Sequence, residues 1–285
     1  MPSAVATSPR DNTAAARTRK AVSKVLHANT RRPPLRVAIV GVNAGQPGAF
    51  RHVRAALDAA AVALGLEGRL AVIGVEARAP AEAVLAALAH VRPHAVVVTG
   101  GYGAQGMEGK LATLRFAREA PTPCLALCQG MQLMAVECAR SMLGWRRAHT
   151  AEAGGEQEGV HVVVPLAHPS AGKASLRWDP TQNLERGGSA AAAAYSARGE
   201  GGGGEEERVR HAFAVAASAV TALCTPEGGL CAPAHFADSG EVALLEFREH
   251  PFYVGAQFHP EERGAQPHPL FIALLRAAAT GVTRR

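Results

Sequence analysis

The feature that most constrains this chain is the stretch 121–144, PTPCLALCQGMQLMAVECARSMLG, in which an apolar run stops at a cysteine and helical spacing begins. Residues 124–127 predict a buried strand, and the apolar residues that follow recur at helical intervals: Met131, Met134, Ala135, Cys138 and Met142. Cys128 is therefore predicted at a sharp strand-to-helix turn, where Gly130 allows the helix to begin close to the strand. A helix N-terminus favours the thiolate, so Cys128 is a candidate nucleophile. A buried cysteine with a purely structural role is the alternative.

A second motif near the C-terminus supplies a candidate base. Residues 253–261 read YVGAQFHPE, and residues two apart on an extended segment face the same side. His259 and Glu261 can then act as a base and its orienting carboxylate, with Cys128 as the nucleophile. This combination favours nucleophilic chemistry over the structural alternative for Cys128.

Strands and helices alternate along the N-terminal half of the chain. Short apolar runs at 36–42, 70–75 and 95–99 have buried-strand character, and helical spacing occurs at 50–64 and 80–90. This alternation predicts a parallel sheet covered by helices on both faces. Ligands in such folds bind at the carboxyl ends of the strands, where Cys128 is also expected.

Four sequence segments, in order, carry a resemblance to a known family. CQGMQ (128–132) and VGAQFHPE (254–261) resemble the class I (triad) glutamine amidotransferases. GGYGAQGMEGKLATLRFARE (100–119) and HPLFIALLRAA (268–278) are similar to the glutaminase domain of CTP synthase. The resemblance spans about 35–279 and is weak in the middle. It implies an α/β fold with an open, mostly parallel, flavodoxin-like sheet and helices on both faces.

The glycine-rich loop 100–106 follows a predicted strand. Residues 101–106 match the pattern GxGxxG, but a dinucleotide site needs an acidic residue about twenty positions further on, at the end of the next strand. That strand ends at Cys128 instead, so an oxyanion loop is the better interpretation and a plain glycine-rich turn the alternative. The resemblance implies that the N–H groups of Gly101 and Gln129 hold the oxyanion and that Tyr102 touches the substrate.

The resemblance also indicates substrate-binding residues and two departures. Gln132 and Glu152 align with family residues that contact substrate, although Glu152 can also be read as a solvated loop acid. The family has glycine where this chain has Ala126, and an arginine that binds the substrate carboxylate where this chain has Ala212. Arg210 is one strand-face step away and is the expected substitute. Loss of a bidentate clamp predicts weak glutamine binding.

Charge and cysteine content limit the possible partners. The formal charge of the 285-residue chain is +6, and residues 1–34 account for all of it with seven Lys or Arg and one Asp. The rest is balanced, so no nucleic-acid surface is expected. Five cysteines at irregular spacing give neither a disulfide framework nor a metal signature. A reducing, cytoplasmic location is the default, and no apolar run has the length of a membrane span.

The predicted domain organisation is a tail followed by one domain. Residues 1–34 are expected to be a disordered basic tail or a transit-like segment for organellar import. Residues 35–285 form the amidotransferase domain, in which the low-complexity stretch 187–207 is predicted to be a flexible insertion. Further strands are predicted at 160–166, 208–218 and 244–247, and a closing helix at 270–279.

The expected function is hydrolysis of the L-glutamine side-chain amide, which supplies ammonia to a partner synthetase that forms CTP from UTP. ATP and Mg²⁺ would belong to that partner, because the sequence holds no GxxxxGK[ST] phosphate loop, and no cofactor or metal is expected in this chain. Two alternatives stay open. One is a related Cys–His–Glu hydrolase acting on another amide or a γ-glutamyl substrate, and the other is a non-catalytic regulatory module of the same fold.

Overall fold

The structure is a computed structural model that describes residues 33–154, 159–181, 188–199, 204–264 and 266–283. The predictions for the basic tail fall almost entirely outside these residues, as does part of the low-complexity stretch. Within the described part of the chain, no helix is both long and apolar enough to cross a membrane.

The described residues form strands and helices that alternate at first and then give way to mainly antiparallel strands. The strands are β1 (Leu35–Gly41), β2 (Leu70–Glu76), β3 (Ala95–Val98), β4 (Cys124–Leu127), β5 (His149–Thr150), β6 (His161–Trp178), β7 (Glu206–Val215), β8 (Leu230–Phe236), β9 (Val242–Phe247) and β10 (Tyr253–Ala256). The helices are α1 (Arg51–Ala63), α2 (Ala81–Val91), α3 (Met107–Glu119), α4 (Gln129–Ser141), α5 (Ala190–Ser196), α6 (Ala217–Leu223) and α7 (Pro269–Thr283). Short 3-10 turns cover Ala151–Ala153 and Pro260–Glu262.

One sheet runs through the molecule in the order β2-β1-β3-β4-β10-β9-β8-β6-β5, with β7 paired to β6. The first five of these strands are parallel, and β10, β9, β8 and β6 then pair antiparallel. The predicted open, mostly parallel α/β sheet of flavodoxin-like order is therefore confirmed. Strand β2 pairs with one edge of β1, and β3 pairs with the opposite edge. This reversal of strand order creates a crevice at the carboxyl ends of β1 and β3.

Helices cover both faces of the sheet because its central strands are apolar on both sides. Along β1, Val37 and Ile39 belong to one core, and Ala38 and Val40 belong to the other. The first core is closed by α1, α5 and α7, and the second by α2, α3, α4 and α6. Near-continuous apolar strands of this kind are typical of sheets buried on both faces.

The strand predictions are wrong in two places within the antiparallel part. The strand predicted at 160–166 continues to Trp178, because its polar half pairs with β7 and so satisfies its backbone there. The strand predicted at 208–218 ends at Val215, and helix α6 follows it. The β6–β7 register shifts between Pro165 and Ser170, so the pairing of the two strands is irregular there.

The low-complexity stretch contains a packed helix, so the prediction of a flexible insertion is wrong for residues 190–196. The Glu246 carboxylate accepts hydrogen bonds from Ser189 Oγ and the Ala190 N–H, both at 2.7 Å, and thereby holds the N-terminus of α5. Tyr195 is fully buried and donates its hydroxyl to Glu207 Oε1 at 2.7 Å. Composition did not reveal this helix, since its anchors come from distant strands.

Candidate active site

Cys128 occupies a strained turn at the carboxyl end of β4. Its φ of 50° and ψ of −111° are unusual for a residue with a side chain. The Cys128 N–H donates to Ala256 O at 2.7 Å, while its carbonyl already accepts from the Met131 N–H of α4 at 2.9 Å. A Cβ on Gly130 would lie 2.6 Å from Val98 O, so only glycine allows the helix this close to the sheet. The predicted turn is confirmed, and strain of this type is concentrated at functional sites.

Ala126, where the resembled family has glycine, fits within β4. It is fully buried and pairs in register with Val98 and Gly255. Its φ is not positive. The methyl group therefore does not disturb the turn at Cys128.

His259 and Glu261 form a buried pair beside Cys128. The His259 Nδ1 lies 2.8 Å from Glu261 Oε1, and both side chains are about one-tenth exposed or less. The sequence predicted that these two residues face the same side of an extended segment. That prediction is wrong, because β10 ends at Ala256 and Glu261 lies in the 3-10 turn Pro260–Glu262. The turn brings the carboxylate back to the ring and so fixes which nitrogen of His259 faces it.

The charge state of His259 reflects its two neighbours. Burial by itself lowers the pKa of His259, but hydrogen bonding and charge attraction from Cys128 and Glu261 outweigh burial and raise it from 6.5 to about 10. The buried Nε2 atom makes no hydrogen bond of standard geometry in the described chain, although Cys128 is close enough to affect its protonation. Nε2 is thus available to exchange a proton with a reacting group near the sulfur.

The other cysteines differ from Cys128 in their surroundings. All five thiols are free. Burial raises the pKa of Cys224 to about 11 and of Cys231 to about 12, and it raises the pKa values of Cys124 and Cys138 as well. These four thiols are held in the protonated form, which is a poor nucleophile.

A cavity of about 420 Å³ opens over the sulfur of Cys128. Its walls include the loop Gly100–Tyr102, His259, Arg210 and the region around Phe50 at the crevice between β1 and β3. Tyr102 stands at the mouth with 66% of its surface exposed. The structure therefore brings Cys128, His259, Glu261, Gly101, Tyr102 and Arg210 to one cavity, as the sequence predicted.

Glu152 and Gln129 lie behind the glycine loop and hold it in place. Glu152 Oε1 accepts from the Gly103 N–H at 3.0 Å, and Oε2 accepts from Gln129 Nε2 at 2.9 Å. Gln129 Nε2 also donates to Gly103 O at 2.9 Å. Glu152 is thus neither a solvated loop acid nor part of the cavity wall, and its carboxylate supports the loop.

Gln132 also lies one layer behind the cavity. It is buried, and its Nε2 donates to Phe213 O at 2.6 Å and to Gln257 Oε1 at 3.2 Å. Gln257 in turn donates to the Cys128 sulfur at 3.8 Å. Gln132 is not among the residues that line the cavity, and its amide connects α4 to β7.

Strand β7 contacts the Cys128–His259 pair through its main chain. The His259 N–H donates to Arg208 O at 2.8 Å, and the Cys128 thiol donates to Arg210 O at 3.8 Å. The Arg210 side chain is 59% exposed and donates to Glu262 Oε1 at 3.0 Å. Ala212 has no partner in the β6–β7 ladder. Arg210, the residue expected to substitute for an arginine at 212, lines the cavity.

Two residues of this network were missed from the sequence, Lys110 and Gln257. Lys110 is fully buried and donates to Gly100 O at 3.0 Å and to Gln129 Oε1 at 2.8 Å. The helical spacing of Met107, Lys110, Leu111 and Leu114 places this lysine on the apolar face of α3, which was the available signal. In the described residues, no group of three or more His, Cys, Asp or Glu side chains could hold a metal ion.

Fold and site together define a class of protein. It is an α/β protein of flavodoxin-like sheet order with a Cys–His–Glu arrangement at the carboxyl edge of its parallel strands. The family model for glutamine amidotransferase class-I matches residues 56–276. The chain therefore belongs to the class-I glutamine amidotransferase family.

Individual relatives narrow this similarity to one branch of the family. The chain is 34% identical over 254 residues to the CTP synthase of Methanopyrus kandleri and 33% identical over 253 residues to that of Thermomicrobium roseum. Each alignment covers 86% of this chain but only 45% and 43% of the relative. The chain thus spans less than half the length of these curated relatives.

A solved structure gives the same result. The Trypanosoma brucei CTP synthase glutaminase domain, determined with bound acivicin, superposes with a TM-score of 0.73 at 25% identity. The match covers 86% of this chain and 94% of that domain. The chain is therefore similar to the CTP synthase glutaminase domain over most of its length.

Proposed function

We propose that this domain hydrolyses the side-chain amide of L-glutamine and supplies the ammonia to a synthetase that makes CTP from UTP. The observation that carries the proposal is the position of Cys128. It lies on a strained strand-to-helix turn beside His259, whose Nδ1 is fixed by Glu261 at 2.8 Å. Family membership and the similarity to CTP synthase glutaminase domains support glutamine as the amide.

The chemistry follows from the proton that His259 can hold. The Cys128 thiolate attacks the amide carbon, and the C–S bond forms as the carbonyl π electrons move onto oxygen. The N–H groups of Gly101 and Gln129 stabilise that oxyanion. His259 Nε2 then donates its proton to the amide nitrogen, the C–N bond breaks, and ammonia leaves a thioester on Cys128.

Hydrolysis of the thioester uses the same ring in reverse. His259 Nε2, now neutral, takes a proton from a water molecule that attacks the thioester carbon. The C–S bond breaks, glutamate leaves, and the thiolate and the protonated ring are restored. Glu261 stabilises the imidazolium at both stages through its contact with Nδ1.

Two positions are proposed to contact the substrate directly. Tyr102 covers the mouth of the cavity, and Arg210 offers a guanidinium to the substrate carboxylate. Gln132 and Glu152 act from behind, on β7 and on the glycine loop. ATP and Mg²⁺ are assigned to the partner synthetase, and a reducing compartment such as the cytoplasm suits five free thiols.

A second candidate is hydrolysis of another amide or a γ-glutamyl substrate by the same three residues. Ala212 favours it, because the arginine expected at that position is missing and Arg210 is already paired with Glu262. A different substrate could lack the carboxylate that such an arginine binds.

The deciding experiment measures ammonia release from glutamine, asparagine and γ-glutamyl amides, with and without a CTP synthase synthetase domain. Glutamine is expected to give the highest kcat/KM and to respond to the partner. A higher value for another amide would select the second candidate. If no amide releases ammonia and a glutamine-mimicking electrophile does not label Cys128, the domain is a non-catalytic module of this fold.

A further inference from the structure

A buried lysine lies directly behind the glycine loop of the proposed oxyanion site. Lys110 has no exposed surface, and no other lysine or arginine side chain of the described residues is as deeply buried. An ammonium group loses much hydration on burial, which is costly unless it is compensated. Its Nζ has two oxygen acceptors, Gly100 O at 3.0 Å and Gln129 Oε1 at 2.8 Å.

One acceptor is the carbonyl oxygen of the Gly100–Gly101 peptide. The other is the side chain of Gln129, the residue that follows Cys128. Gly100 lies against the nucleophile, since a Cβ built on it would be 3.3 Å from Cys128 Cβ and 3.7 Å from His259 Cε1. A Cβ on Gly101 would lie 2.8 Å from both Lys110 Nζ and Gln129 Oε1. The lysine and the glutamine therefore close the rear of the loop and leave no room behind it for a side chain.

The bond to Gly100 O determines the direction of the next N–H. In a planar trans peptide the C=O of Gly100 and the N–H of Gly101 point in opposite directions. Because Lys110 holds the carbonyl toward the interior, the Gly101 N–H points outward, toward the cavity that Gly101 lines. That N–H donates to no acceptor of the described chain, so it remains available to a substrate oxygen.

We propose that Lys110 is a positioning residue of the glutaminase site, which holds the Gly100–Gly101 peptide with its N–H toward the reacting carbonyl and ties it to Gln129. The inference rests on the proposed function. Gln129 extends the tie to Glu152 and Gly103, so one connected set of hydrogen bonds fixes both oxyanion donors.

The charge of Lys110 adds a second effect. Burial lowers the pKa of Lys110 from 10.5 to about 8, and the charges that face it, Cys128 and Glu152, oppose this. While the lysine is protonated, its positive charge attracts negative charge at these two side chains. Above about pH 8 the amine is neutral; it still donates hydrogen bonds but no longer provides this attraction.

The test compares Lys110→Met with Lys173→Met in glutamine hydrolysis. Methionine keeps the length of the side chain and removes its donors, and Lys173 is a largely exposed lysine on β6 that pairs with Glu206. Lys110→Met is expected to lower kcat about 10- to 100-fold with KM changed less than about threefold, because the peptide acts on the transition state. Lys173→Met should match the wild type.

The pH profile separates this role from a purely structural one. Wild-type kcat is expected to fall by a partial step near pH 8, and that step should be missing in Lys110→Met. A folded Lys110→Met enzyme with wild-type kcat and the same step would overturn the inference while leaving the proposed function intact. A wild type that releases no ammonia would overturn the proposed function and the inference with it.

A second variant decides the matter if Lys110→Met does not fold. Gln129→Met keeps the main-chain N–H at this position and the lysine side chain, but removes the acceptor Oε1 and the donor Nε2. We expect a fall in kcat with KM retained. An unchanged kcat in Gln129→Met would overturn the proposed role of the hydrogen bond between Lys110 and Gln129.

Discussion

Glu261 Oε1 lies 2.8 Å from His259 Nδ1, although the two residues are separated by a proline at the start of a 3-10 turn. The carboxylate therefore reaches the ring through a change in chain direction. The other ring nitrogen, Nε2, remains buried and is the atom next to the chemistry. This contact fixes the orientation of the ring, and together with Cys128 it stabilises the charged form of His259.

Replacing Glu261 with glutamine should mainly slow the chemical step. Glu261→Gln keeps the volume but removes the negative charge and can stabilise the wrong tautomer of His259. We expect kcat for glutamine hydrolysis to fall about 10²- to 10⁴-fold with little change in KM. The matched control is Glu119→Gln, an exposed glutamate on α3 that pairs with Arg115. Loss of activity in both variants would point to a general effect on folding instead.

Cys128→Ser should abolish ammonia release and leave the fold unchanged. Serine preserves the size of the side chain at the turn, but its hydroxyl lacks the acidity and nucleophilicity of the thiol. Cys224→Ser is the control, because Cys224 is free and its thiol pKa is raised by burial. Circular dichroism and thermal unfolding check the fold, and activity that survives in Cys128→Ser would rule out this nucleophile.

The sequence predicted the parallel half of the sheet and the cluster of Cys128, His259 and Glu261 well. In that half, each strand and helix has its own local apolar pattern, and glycine or proline marks the boundaries. It predicted the supports of the site poorly. The burial of Lys110, the anchoring of Glu152 and the packing of Tyr195 in α5 depend on partners 10 to 73 residues away. Local patterns do not contain these contacts, although the helical spacing of α3 does indicate that Lys110 lies on its apolar face.

Stability should respond to pH through Lys110. The pKa of this lysine is lowered to about 8 in the folded protein, against 10.5 for the free side chain. Between these values the unfolded chain binds more protons, so the contribution of Lys110 to the free energy of unfolding rises with pH. Relative to Lys110→Met, the wild type should gain up to about 1.4 kcal/mol per pH unit.

Urea unfolding at pH 7.5, 8.5 and 9.5 measures this gain. The difference between the wild type and Lys173→Met should stay constant across the series, because Lys173 is largely exposed. A constant difference for Lys110→Met as well would mean that Lys110 titrates as it does in water.

Arg210 and Ala212 offer a test of substrate recognition. Ala212→Arg should lower the KM for glutamine by about tenfold to hundredfold if it restores a charged hydrogen bond to the carboxylate. Arg210→Ala should raise KM, because Arg210 lines the cavity. If Ala212→Arg has no effect on KM and Arg210→Ala raises it strongly, the whole clamp lies at Arg210. Arg115→Ala, at an exposed arginine on α3, is the control.

The isolated chain should make no CTP. Formation of CTP requires activation of UTP by ATP, hence phosphate-binding loops and Mg²⁺ ligands. The sequence contains no GxxxxGK[ST] motif, and its one GxGxxG match lies beside Cys128. Incubation with UTP, ATP, Mg²⁺ and either glutamine or ammonia should give no product by chromatography. Conversion with ammonia alone would reveal a synthetase site in this chain.

The main-chain contacts of β7 have a consequence for how this domain can vary. His259 and Cys128 are reached by the carbonyl oxygens of Arg208 and Arg210, and every amino acid supplies that oxygen. Side chains on β7 can therefore change without removing these contacts. A chain with Ala212 in place of an arginine can lose a substrate contact and still keep its reacting atoms aligned. Mutations of β7 side chains can therefore change which substrate is bound while the positions of Cys128 and His259 stay the same.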